Sequence, residues 1–171
     1  MKLLGKIFMV KTMSYIDYLK TPIGVLEIRA SERGVTQVVF SESTESNANA
    51  SRITDQCKQE LDEYFKGTRK QFALPLDTKG TEFQKSIWDC LLAIPFGCSA
   101  SYSDLAYQIK NPKAVRAVGA ANGRNPIAII VPCHRVIGRN GSLTGYAWGL
   151  ERKQWLLKHE GVLLSTPSHK G

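Results

Sequence analysis

Six consecutive residues, Val131-Pro132-Cys133-His134-Arg135-Val136, set a thiol beside an imidazole and a guanidinium, directly after the apolar run Ile127-Ala128-Ile129-Ile130. A cysteine can pack, bind metal or react, and each use asks for different neighbours. Metal binding needs further ligands at a suitable spacing. The four cysteines, at 57, 90, 98 and 133, form no Cys-x-x-Cys pair and no Cys/His ladder, so no metal site is expected. Nucleophilic work needs the thiolate, which nearby positive charge favours. The flanks of Cys133 read as the end of a strand, where neighbouring side chains point to opposite faces. Adjacency to His134 and Arg135 therefore leaves packing and reactivity both open.

A second feature bears on that choice. The last amphipathic stretch, about residues 150–159, runs into His159-Glu160-Gly161. A carboxylate at a helix C-terminus faces the negative end of the macrodipole, which costs ~0.3–1 kcal/mol. An indifferent surface choice explains that, and so does a specific donor such as an imidazole. A Glu160 that holds His134 in the tautomer able to accept the thiol proton completes a nucleophile, base and orienter.

These residues need elements to position them. Residues 15–29 read as two strands turned at Thr21-Pro22-Ile23-Gly24, and 34–40 as a third. Residues 41–51 are a polar loop. Ile53, Cys57, Leu61 and Phe65 then recur every four residues, the mark of an amphipathic helix ended by Gly67. Residues 71–76 read as another strand and 77–80 as a linker. Beyond it, Thr81 caps a helix with Phe83, Ile87, Cys90, Leu91 and Ile94 on its apolar face, stopped near Pro95. Ser101 or Ser103 caps a short helix through Ile109. Asn111-Pro112 reads as the cap and first position of another, which runs to about Asn122 with Gly123 placed to end it. Two helices across a tight turn suggest a helix-turn-helix. The second is rich in small residues (Ala114, Ala117, Gly119, Ala120, Ala121) around one long cation, Arg116. Close packing or approach to a narrow groove would each ask for this.

The chain has 171 residues, enough for one domain or two small ones. The expected division is a short extension (1–12), a small α/β domain (13–78), a second domain carrying the chemistry (79–165) and a tail (166–171). Residues 79–171 carry 12 Lys/Arg against 5 Asp/Glu, whereas residues 1–78 carry 11 against 10. A basic excess confined to one half points to a polyanion partner there. No stretch approaches the ~20 apolar residues that span a bilayer. Reduced thiols and a cytoplasmic setting are expected.

Pro132-Cys133-His134-Arg135-Val136, with Asn125-Pro126 eight residues before the cysteine, Tyr102 and Arg116 upstream and His159-Glu160-Gly161 at the end, resembles the O6-alkylguanine-DNA alkyltransferases over about residues 81–163. The resemblance implies an α/β N-terminal domain followed by a mostly helical, winged helix-turn-helix domain. It implies direct-reversal DNA repair, in which the alkyl group on O6 of guanine, or O4 of thymine, moves irreversibly to Cys133, once per protein molecule and without a cofactor. The resemblance casts Cys133 as acceptor, activated by His134, Glu160 and a bridging water, with Tyr102 donating to the base. It casts Asn125, Val136, Tyr146, Ala147 and Trp148 as substrate-binding: Asn125 as a hinge, the carbonyls of Cys133 and Val136 reading the guanine amino group, the Ala147 N–H serving O6, Tyr146 lining the alkyl pocket and Trp148 at its edge. Lys113, Ala114, Arg116, Ala117 and Tyr102 would contact the minor groove of double-stranded DNA, bound by a monomer, and Arg116 would fill the space left by a flipped nucleotide. Two departures stand out. Residues 1–78 hold one cysteine and no histidine, so the N-terminal zinc site of some relatives is not expected, and Trp148 occupies a position that is glycine in some of them. Other readings are a non-enzymatic relative that binds alkylated DNA, which commonly has tryptophan in place of Cys133, a thiol hydrolase using Cys133 and His134, and a winged-helix regulator, which leaves the Cys-His-Glu set unexplained.

Overall fold

The computed structural model describes residues 13–43 and 48–164; the expected extension 1–12 and tail 166–171 lie outside them. Strands β1 (Tyr15–Thr21), β2 (Gly24–Ala30) and β3 (Val35–Ser41) form an antiparallel sheet in that order. The register sets Leu19 against Leu26 and Ile28 against Val38, which gathers apolar side chains on one face. Gly24 takes φ 127° at the β1–β2 turn, a value that favours glycine. Helix α1 (Arg52–Phe65) covers the sheet with Cys57, Leu61 and Tyr64, all fully buried. Ser51 and Thr54 cap it reciprocally, and Gly67, at φ 80°, turns the chain away after it.

Residues 71–76 do not form the expected strand. Only Leu76 bridges, alongside Val35. Pro75 has no N–H to give to a ladder, and the Ala73 N–H is taken by the Glu60 carboxylate at 2.7 Å.

The second half is mostly helical. In α2 (Glu82–Leu92), Thr81 and Gln84 form the cap, and Ile87, Trp88 and Leu91 face inward. Phe83 lies at the surface instead of in the expected apolar face, and Trp88 takes the interior place, where its Nε1 donates to the Ala121 carbonyl at 3.0 Å. Strand β4 (Ala100–Ser101) runs parallel to β5 (Val136–Ile137), and Ser101 caps α3 (Tyr102–Gln108). Helix α4 (Val115–Gly123) starts later than Asn111-Pro112 predicts. Lys110 turns back at φ 58° and the Asn111 N–H closes the preceding helix on Ala106, so 111–114 is a turn and Ala114 the cap. Gly123 is the last helical residue and no left-handed terminator. Helix α5 (Leu150–His159) ends at Glu160, followed by Gly161 at φ 77°. Among the described residues, no helix is long and apolar enough to cross a membrane.

The two halves meet where Pro126–Ala128 docks on β3: Val38 N–H donates to the Pro126 carbonyl and Ala128 N–H to the Val38 carbonyl, each at 2.9 Å. The run 127–130 is thus no strand. It is an apolar turn, buried on all sides, in which Ile129 is forced to φ 71°. For a β-branched residue that conformation is strained, at a cost of ~1–3 kcal/mol that surrounding contacts must outweigh.

Candidate active site

Asn125 supplies much of that constraint. Its Oδ1 accepts from the Ile127 N–H at 2.9 Å, while its Nδ2 donates to the carbonyls of Ile127 (3.2 Å) and Val131 (2.8 Å). One buried amide thereby writes the turn that delivers Pro132 and, after it, a single 3-10 turn, Cys133–Arg135. The cysteine does not leave a strand, as the flanks predict. The tight turn brings Cys133, His134 and Arg135 close together, and all three are buried.

His134 and Arg135 converge on Glu160. His134 Nε2 lies 2.5 Å from Glu160 Oε2, and Arg135 Nε donates to Oε1 at 2.6 Å. A third donor, the Tyr64 hydroxyl from α1, reaches Oε2 at 2.7 Å. Burial opposes ionisation of Glu160, but the hydrogen bonds of His134 and Arg135, the Arg135 charge and, at the low pH where the carboxyl titrates, the charge of a protonated His134 outweigh it and hold the carboxyl at about 2. Burial pushes the His134 ring the other way, toward the neutral form, against the pull of Glu160. A neutral imidazole beside a carboxylate carries its proton on the nitrogen that faces the oxygen. Nε2 is therefore the donor, and Nδ1, buried and without a hydrogen-bond partner among the described residues, carries the lone pair.

The cation expected to favour the thiolate is a different one. Arg135 is spent on Glu160 and on the Ile94 carbonyl (2.7 Å), with its guanidinium 5.8 Å from the Phe96 ring centroid. Cys133 instead feels Lys153, which is completely buried on α5. Burial lifts the thiol to about 11, and an Asn125 hydrogen bond and the Lys153 charge pull against it. Burial lowers Lys153 to about 8. Its Nζ donates to the carbonyls of Thr144 (2.7 Å) and Gly145 (3.2 Å), and the Tyr102 hydroxyl donates to the same Thr144 carbonyl at 3.2 Å.

Cys133 opens onto a pocket of about 430 Å³ lined with Tyr102, Val115, Gly119, Asn122, Thr144, Tyr146 and Ala147, among others. The predicted site residues fall into three groups around it. Cys133, Tyr102, Tyr146 and Ala147 line the pocket. His134, Glu160 and Asn125 lie buried behind it, as does Val136, whose N–H donates to the Cys133 carbonyl. Lys113, Arg116 and Ala117 are exposed on the turn and helix beside the mouth, with Ala114 half-buried between them. Trp148 does not line the pocket. Its indole packs edge-on against Tyr146 (5.3 Å between centroids) and Phe40 of β3 (6.1 Å), so it backs a pocket wall.

Lys153 and Tyr64 escape the sequence reading. A signal for the first exists: Lys153, Leu156, Leu157 and Glu160 recur at helical spacing on one face, so a lysine stands on the buried stripe of α5. Tyr64 falls in step with Cys57 and Leu61 and reads as packing.

Two family models match the chain: the DNA binding domain of 6-O-methylguanine DNA methyltransferase over residues 82–162, and its ribonuclease-like domain over residues 14–78. The methylated-DNA–protein-cysteine methyltransferase of Methanosarcina acetivorans is 47% identical over 86% of this chain and 98% of its own length. That of Bacillus subtilis, described as constitutive, is 45% identical over 88% and 97%. The crystal structure of Mycobacterium tuberculosis O6-methylguanine methyltransferase superposes with a TM-score of 0.79 at 42% identity, covering 87% of this chain and 93% of that one. A structure of the same organism's protein in complex with DNA gives 0.76 at 44% identity, covering 84% and 92%. On these matches, which span both halves, the chain belongs to the 6-O-methylguanine DNA methyltransferase family, the methylated-DNA–protein-cysteine methyltransferases.

Proposed function

We propose that the protein repairs DNA by moving the alkyl group of O6-alkylguanine, and of O4-alkylthymine, onto Cys133 Sγ, one group per molecule. The observation that carries this reading is a buried thiol lining the pocket, backed by His134 and Glu160 in the tautomer that leaves Nδ1 free to take a proton. The thiol rests protonated, since its pKa of about 11 lies above neutrality. Its proton passes through a bridging water to His134 Nδ1, and Glu160 stabilises the imidazolium that forms. The thiolate attacks the sp³ carbon of the alkyl group. The C–S bond forms as the C–O6 bond breaks, and the electron pair leaves with the guanine, which regains a proton to become the normal base. Tyr102 donates to the base and the Ala147 N–H serves O6, which eases departure of the anion. The product is a thioether. A thioester would hydrolyse and return the thiol, but a thioether does not, so the protein is consumed without turnover.

A buried thiol cannot reach O6 inside a stacked duplex, so the nucleotide is turned out, at a cost of a few kcal/mol. The exposed face of α4 enters the minor groove, its small residues permitting close approach, and Arg116 fills the vacated stack. Lys113 and the other cations of residues 79–171 meet phosphates, which makes binding sensitive to salt and tolerant of sequence. The test is intact mass after mixing the protein with a duplex containing O6-methylguanine. The reading expects a gain of one methyl (about 14 Da) on the peptide bearing Cys133, no gain in Cys133→Ser, and retained DNA binding by that variant. Repeated turnover of an ester or amide without a lasting adduct would instead make the protein a thiol hydrolase.

A further inference from the structure

Tyr64 belongs to the first domain, yet its side chain ends in the second domain's proton relay. Residue and ring are fully buried, and the hydroxyl donates to Glu160 Oε2, the oxygen that also receives His134 Nε2–H. The same residue is held from the other side: His159 Nε2 lies 2.7 Å from the Tyr64 carbonyl, and since a carbonyl only accepts, that nitrogen carries the proton. Packing against Phe65, Phe72, Phe96 and His159, at centroid distances of 5.1–6.2 Å, fixes the phenol.

We propose that Tyr64 is a positioning residue for the transfer reaction, which by sharing Glu160 Oε2 with His134 sets how strongly Glu160 supports proton uptake at His134 Nδ1. This rests on Cys133 being the acceptor. A hydrogen bond donated to a carboxylate oxygen draws off negative charge, leaving less for the second donor on the same atom. Orientation alone does not need Tyr64. Oε1 is anchored by Arg135, which is itself anchored on the Ile94 carbonyl, so the carboxylate keeps its aim without the phenol. The electronic effect therefore decides the direction: removing the hydroxyl makes His134 a stronger base.

The experiment is the rate of Cys133 alkylation by iodoacetamide against pH, followed by peptide mass in the full chain. Tyr64→Phe keeps the ring and deletes the donor. Its midpoint is expected to move to lower pH by a few tenths to about one unit, while Glu160→Gln moves it to higher pH. Replacing Tyr64 with 3-fluorotyrosine, which keeps the hydroxyl and makes it a stronger donor, is expected to move the midpoint upward, and it tests the idea even where the phenylalanine variant folds poorly. A role in packing alone lowers Tm and leaves both midpoints at the wild-type value. Unmoved midpoints, or a Tyr64→Phe midpoint displaced upward, overturn the proposal. Methyl transfer to Cys133 from O6-methylguanine in duplex DNA by the unaltered protein is measured alongside. Its failure would defeat the proposed function, whereas normal transfer with unmoved midpoints defeats only the role of Tyr64.

Discussion

Glu160→Gln changes one atom of the relay, and its consequences can be counted donor by donor. Three donors meet the carboxylate: His134 Nε2–H and the Tyr64 hydroxyl at Oε2, and Arg135 Nε–H at Oε1. A carboxylate has acceptors for all three, but an amide offers one oxygen and one N–H₂. Arg135 cannot give up its proton, so the amide oxygen turns to Arg135 and the N–H₂ faces Tyr64 and His134. A tyrosine hydroxyl can rotate and accept. His134 can accept at Nε2 only by moving its proton to Nδ1, which removes the lone pair that the proposed proton transfer uses. Loss of an orienting carboxylate by an isosteric amide, with the wrong tautomer as the result, costs about four orders of magnitude in a serine protease triad. A loss of about 10³–10⁴ in single-turnover methyl transfer is expected here. Stability falls too. The Glu160 carboxyl, held at about 2 against an ordinary 4.5, contributes at most ~3 kcal/mol, less where His134 is neutral. Its folded pKa is the lower one, so this contribution is complete above about pH 4.5 and is lost as pH falls toward 2. At ~2–4 °C per kcal/mol for a chain of this length, Tm at pH 7 drops by no more than ~6–12 °C, and the variant lacks the wild type's loss between pH 4.5 and 2 from this group. Rapid-quench transfer assays, thermal unfolding at several pH values and ¹⁵N spectra of the His134 ring measure the three effects. Transfer within about tenfold of wild type, with the His134 proton still on Nε2, would refute the tautomer argument.

Three further outcomes are expected. Arg116→Ala slows repair in duplex DNA by at least tenfold, about 1.4 kcal/mol, and barely alters reaction with free O6-methylguanine base; equal losses on both substrates would make Arg116 structural. Lys153→Met deprives Cys133 of its buried cation, so transfer at pH 7.5 falls tenfold or more. In the wild type this lysine's folded pKa is the lower one, so stability gains from it as pH rises from about 8 toward 10.5. Chemical denaturation at pH 7 and pH 10 should show that gain missing from the variant, and an unchanged rate and pH dependence would sink the electrostatic role. Trp148→Gly removes the support behind Tyr146, so it is expected to raise the rate with free O6-benzylguanine relative to O6-methylguanine and to lower Tm, because the contact with Phe40 goes as well. If the benzyl-to-methyl ratio holds constant, Trp148 serves packing only.

The limits of local reasoning are plain at Cys133. Strands β1–β3 and helices α1, α2, α3 and α5 were legible because period-2 and period-3.6 patterns, with Thr81 and Ser101 as caps, are local signals, whereas Ser51, the cap of α1, is hidden at the end of a polar loop. The run 127–130 deceived the reading, since an apolar stretch buried on every side looks the same as turn or strand. What made it a turn was the Asn125 amide folding back on Val131, six residues on, together with the docking on β3, about ninety residues away in the chain and beyond any local window. The start of α4 lies later than Asn111-Pro112 suggests because Asn111 closes the helix before it, after Lys110 has turned back at φ 58°.

The sequence by itself determined which residues could do the chemistry. Cys133 beside His134, and Glu160 at an electrostatically awkward helix end, are facts of composition and spacing, and they pointed to a nucleophile, a base and a partner for the base. Which groups act on which was decided only by the tertiary structure. Arg135 lies two residues from Cys133 in the chain but serves Glu160, because the 3-10 turn carries it and His134 to the C-terminal end of α5. Lys153, twenty residues away, is the cation whose charge bears on the thiol, and Tyr64, from α1, joins the same carboxylate. Charges and hydrogen bonds act through space over a few ångströms, so the pKa values that make a thiol usable belong to the folded arrangement and to no segment of the chain.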